Sequence, residues 1–210
     1  MITMDPVLEL DARNGFTLWP VADVEPYTFL RLCGGMEQAE VGTAVMQIAA
    51  TNAFRPEDDD CPPLPSDPRG AFLHGLLTRE DLVAAGGLRV HDAGTGVTVQ
   101  PGCCDGLEEW RDWYRVFDGD GFVGFGHDPS PTAERRGDTV RLTVDVYQED
   151  SPVIDLPGTA LRHLLAGAER DLAAFLALAA AWAAHHLPAH AAPVTAALAR
   201  CLDVRAPGAP

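Results

Sequence analysis

Thr139-Val140-Arg141-Leu142-Thr143-Val144-Asp145-Val146-Tyr147 is the stretch that decides the fold class of this chain. Val140, Leu142, Val144 and Val146 alternate with Arg141, Thr143 and Asp145. Successive strand side chains point to opposite faces, so the pattern predicts a strand over residues 139–147 with one apolar face. Downstream, Leu161, Leu164, Leu165, Ala168, Leu172, Phe175, Leu176, Ala179 and Trp182 recur at steps of three and four. That period predicts a long amphipathic helix, with Thr159 as its cap and Pro188 as its stop. Val194, Leu198, Cys201 and Leu202 mark a final helix that folds back against it.

Upstream of the strand, Asp105-Gly106-Leu107-Glu108 has the spacing of a capping box and predicts a helix over 106–117. Phe122 and Gly124 belong to a short strand before a turn-rich stretch, His127-Asp128-Pro129-Ser130-Pro131. Residues 88–91 and 97–99 flank Asp92-Ala93-Gly94-Thr95-Gly96 and read as a hairpin. Thr78 followed by Arg79-Glu80-Asp81 and closed by Gly86-Gly87 predicts a short helix through Leu82 and Ala85. Residues 36–50 form an amphipathic helix, and residues 27–32 extend the sheet. At the start, Asn14-Gly15 between apolar runs 7–10 and 16–19 predicts a first hairpin. The expected class is α+β: a mostly antiparallel sheet built from hairpins, covered by a long C-terminal helix and several shorter helices.

A chain of 210 residues with 47% hydrophobic and 22% charged residues is expected to fold as one domain over 1–210. Residues 54–70 interrupt it with five prolines and a carboxylate run, a composition that blocks ladders and favours water, so an exposed acidic loop is expected there.

Fifteen basic residues, all Arg, face 31 Asp and Glu, a formal net charge of -16. Phosphate backbones need basic stripes, and the one adjacent pair, Arg135-Arg136, sits between Glu134 and Asp138, so nucleic acid is not an expected partner. Anionic membrane surfaces are excluded by the same reasoning. The first ten residues lack a secretory pattern and the most apolar run, residues 172–184, is too short to span a bilayer, which leaves a cytoplasmic expectation. Five scattered cysteines, Cys33, Cys61, Cys103, Cys104 and Cys201, point to reduced thiols rather than a disulfide framework.

Two functional readings follow. The first is a protein-binding module of the inhibitor or immunity type, acting on a basic protein partner. It rests on the net charge and on Glu57, Asp58, Asp59 and Asp60, with Trp110 and Trp113 as aromatic anchors if they are not core. The second is a small-molecule enzyme or a thiol- or metal-dependent protein using Cys103, Cys104, His127 and Asp128. A thiol pair at a helix start can be acidified by the helix dipole, while Asp105, Glu108 and Glu109 oppose a second anion. His127 beside Asp128 at a strand end has the composition of a general base and equally of a tight turn. His91 joins this set if its strand lies alongside. The Cys-Cys spacing matches no standard zinc motif, and no nucleophile elbow, phosphate loop, dinucleotide fingerprint or His-Glu-x-x-His is present, so no cofactor is implied.

Overall fold

The computed structural model describes residues 1–12, 15–54 and 62–205. Its strands form two four-stranded antiparallel sheets. In the first, β1 (Ile2–Leu10) lies between β2 (Thr28–Arg31) and β3 (Gly86–Asp92), and β3 carries the short β4 (Thr98–Val99). In the second, β5 (Phe122–Gly124), β6 (Thr132–Arg136), β7 (Thr139–Thr143) and β8 (Val153–Pro157) follow one another as a meander. The helices are α1 (Gln38–Thr51), α2 (Pro68–Thr78), a 3-10 helix (Leu107–Tyr114) running into α3 (Arg115–Asp118), α4 (Gly158–His186) and α5 (Ala191–Cys201). The class is α+β, as the alternating strand and the long apolar-faced helix imply.

Helix α4 unites the molecule. Its Leu161, Leu165, Ala168, Leu172, Phe175, Leu176, Ala179 and Trp182 are buried, and it packs against β1, β7, β8, α1 and α5. Both sheets therefore turn their apolar positions, Met4, Leu8 and Val90 in one and Val140, Leu142, Ile154 and Leu156 in the other, toward a shared hydrophobic cluster. The helix starts at Gly158 with Pro157, not Thr159, at its N-cap, and the Gly158 amide donates to the Asp138 carbonyl at 2.9 Å.

Three local expectations are corrected. Residues 16–19 are not a strand: β1 is paired on one side with β2 and on the other with β3, which leaves no ladder position for them. Phe16 and Trp19 instead join Phe72 and Trp182 in edge-to-face contacts, and the Trp19 indole N–H donates to the Gly42 carbonyl at 2.9 Å. Such ring pairs add about 0.5–1.5 kcal/mol each beyond burial. The Asn14 end of that turn lies outside the described residues. Residues 79–85 are not a helix. The helix lies earlier, because the Asp67 side chain accepts from the Gly70 amide at 2.7 Å and Pro68 supplies a preset first turn, so Thr78 closes α2 instead of opening its successor. The proline-rich loop accordingly ends at Asp67. Finally, Asp105 and Glu108 form no capping box. Glu108 accepts from the Ala84 amide at 2.8 Å, and the segment starts as a 3-10 helix at Leu107.

Candidate functional site

Cys103 and Cys104 sit between β4 and the 3-10 helix, and His127 follows β5. The structure brings the two segments together. Cys103 donates its amide to the His127 carbonyl at 2.6 Å, and His127 returns the bond to the Cys103 carbonyl at 3.1 Å. Gly102 extends the bridge by donating to Phe125 at 2.8 Å. The approach demands glycine on both sides: a Cβ on Gly102 would lie 2.2 Å from the Pro129 carbonyl oxygen. One on Gly126, which holds φ +85, would lie 2.4 Å from that of Cys103. Below the bridge, the Phe125 ring stacks on Trp113 with centroids 3.9 Å apart.

The thiols of Cys103 and Cys104 are 3.6 Å apart, and together with a His127 ring nitrogen their ligand atoms lie within 4.8 Å of one another. All three residues are exposed. His127 Nδ1 is 3.4 Å from a carboxylate oxygen of Asp128. The Cys103 thiol is held above its ordinary range, first by its hydrogen bond with Cys104, then by the charge of that neighbour. The helix dipole does not win, since the helix begins four residues beyond Cys103. His91 stays apart: its Nδ1 meets the Thr98 hydroxyl across the β3–β4 ladder at 2.9 Å.

The carboxyl of Asp105 is pushed up to about 7 by burial, then by Glu109, and Glu108 is also raised by burial. Trp110 and Trp113 are 1% and 2% exposed, so both are core residues and neither is a surface anchor. Trp110 spends its indole N–H on the Leu202 carbonyl at 2.9 Å. Glu57, Asp58, Asp59 and Asp60 lie outside the described residues. Among those described, Cys33, Cys103, Cys104 and Cys201 are all free thiols.

A surface feature that the sequence reading did not single out is the β7–β8 turn. The ladder closes at Thr143 opposite Val153, and the chain then reverses through Asp145, Gln148 and Ser151. Asp145 accepts from the Tyr147 amide at 3.1 Å through its side chain, its own amide donates to the Ser151 hydroxyl at 2.8 Å, and its carbonyl accepts from Gln148. These bonds leave Tyr147 88% and Val146 46% exposed beside Glu149 and Asp150. The signal was present as Gln148-Glu149-Asp150-Ser151-Pro152, a polar turn run between two alternating apolar segments.

No described helix is long and apolar enough to cross a membrane. Compared with family models, curated proteins and solved structures, the chain matches none.

Proposed function

We propose that this chain is an acidic protein-binding module, of the inhibitor or immunity type, that docks a basic partner through the tip of the β7–β8 hairpin. The observation that carries the reading is the pairing of a fixed loop backbone with exposed Tyr147 and Val146, set among Asp145, Glu149 and Asp150. Tyrosine is a common anchor of protein interfaces, because it brings large contact area at little rotamer cost. A loop already tied by its own hydrogen bonds loses little further entropy when it docks. The carboxylates around the ring supply steering and register toward a cationic surface.

Charge across the rest of the molecule supports the same reading. Arg31, Arg111, Arg136 and Arg141 are engaged with carboxylates of their own chain, at 2.6–2.9 Å. Each such pair uses up a carboxylate together with its guanidinium, so the acidic excess behind the formal charge of -16 has no basic side chain of the same chain to offset it. The test is comparative capture from cells of the source organism, using the wild-type chain and the Tyr147→Ala/Glu149→Lys/Asp150→Lys variant as bait. A basic protein retained by the first and lost from the second supports the reading. Equal retention by both, or retention by neither, removes it.

A further inference from the structure

We infer that Cys103, Cys104 and His127 form a surface site for one thiophilic divalent cation of the zinc class. The inference stands on different residues from the docking reading and does not depend on it.

The donor set is the starting point. Two thiolates and an imidazole are the ligands that zinc prefers over oxygen donors, and three protein ligands leave a fourth position for water or a substrate atom. Placement comes next. The donors derive from two segments far apart in sequence, yet the reciprocal bonds between Cys103 and His127 fix the backbone that presents them. Phe125 stacked on Trp113 ties that backbone to the core. A flexible loop would not hold three donors in one place, whereas this bridge does.

The distances fit. Zinc–sulfur bonds of about 2.3 Å at a tetrahedral angle put two thiolate sulfurs about 3.8 Å apart, and the Cys103 and Cys104 sulfurs are 3.6 Å apart. The outer limit of 4.8 Å within the cluster exceeds that sulfur–sulfur separation by about 1 Å, and the three side chains are exposed and free to rotate toward one ion. Asp128 is the candidate outer contact: its carboxylate oxygen lies 3.4 Å from His127 Nδ1, close enough for a small side-chain rotation to give the carboxylate partner that orients a metal-bound imidazole. Binding is a ligand exchange that balances. Five of the six metal–water bonds of the aqua ion break and one water is kept, two metal–sulfur bonds and one metal–nitrogen bond form, and the two thiol protons pass to the buffer.

The experiment is cobalt(II) and zinc(II) titration of the reduced, metal-free full-length chain. One equivalent of cobalt should produce intense visible ligand-field bands with a near-ultraviolet thiolate-to-cobalt charge-transfer band, and zinc should bleach both. Zinc affinity, read by competition with a chromogenic chelator, should fall about a hundredfold or more in Cys103→Ser, Cys104→Ser and His127→Ala, and about tenfold in Asp128→Asn. Cys33→Ser, which changes a free thiol outside the cluster, should bind as the wild type does. A cobalt spectrum without the charge-transfer band, or zinc affinity unchanged in the Cys103, Cys104 and His127 variants, overturns the assignment. Because the wild-type spectrum is read first, a variant that unfolds does not shelter the claim.

Discussion

The Val146 amide donates to the Ser130 carbonyl at 3.1 Å, and this bond joins the exposed hairpin tip to the loop that begins at His127. The two surface features of the molecule are therefore mechanically connected. Whatever fixes the loop over 127–131 also braces the segment that presents Tyr147.

The glycines beneath that loop should be intolerant of even one methyl group. Gly102→Ala and Gly126→Ala each drive a Cβ onto backbone atoms that cannot swing away, and each is expected to cost about 2–3 kcal/mol or more in urea unfolding. Gly96→Ala is the control: its φ is also positive, but nothing lies within 4 Å of the added atom, so the loss should stay near 1 kcal/mol. Equal losses at the three positions would remove the close-approach argument.

Trp113 should matter to stability through burial and stacking. Trp113→Ala deletes a buried ring and the partner of Phe125, and should lower unfolding free energy by about 3–5 kcal/mol. Trp113→Phe should restore part of that loss. A truncation that costs under about 1 kcal/mol would contradict the packing described.

Asp105 makes stability depend on pH. Its folded-state carboxyl titrates near 7 because of burial, well above an unfolded aspartate. A raised folded value means the favourable term is fully present below about pH 4, declines as pH rises toward about 7, and is absent above it. After discounting for partial exposure the change is about 2 kcal/mol. Asp105→Asn should therefore be more stable than the wild type near pH 8 and nearly equal to it near pH 4, by chemical denaturation. A variant less stable than the wild type at the higher pH would show that the carboxylate is being stabilised there.

Much of this architecture can be read directly from residue patterns. The alternation through Val140 and Leu142, the three-four spacing from Leu161 to Trp182 and the Gly94-Thr95-Gly96 turn each encode local geometry, and each lies in the expected element. Where the reading failed, a non-local competitor decided. Thr78 has the composition of a helix start, but Asp67-Pro68 upstream had already set the register of α2. Phe16 and Trp19 look like strand residues, yet the edges of β1 belong to β2 and β3. Glu108 is spaced for a capping box, and the Ala84 amide claims it from another segment. Cys103, Cys104 and His127 group by composition as one candidate set, but whether they meet stays open in the sequence, because it depends on how the β5 end crosses the β4 exit. Tyr147 was hidden for the opposite reason: the valine alternation runs on past Thr143, and the turn bonds made by Asp145 and Ser151 end the ladder first.

Tyr147 should carry binding energy and almost no folding energy. With 88% of its surface exposed, Tyr147→Ala is expected to change unfolding stability by less than about 0.5 kcal/mol. The direct measurement is the affinity of the captured basic partner for wild-type and Tyr147→Ala protein, at low salt and at about 0.15 M. The account predicts at least about a tenfold loss for the variant at both salts, with wild-type association weakening as salt is added. Equal affinity for the two proteins, or binding indifferent to salt, would contradict it.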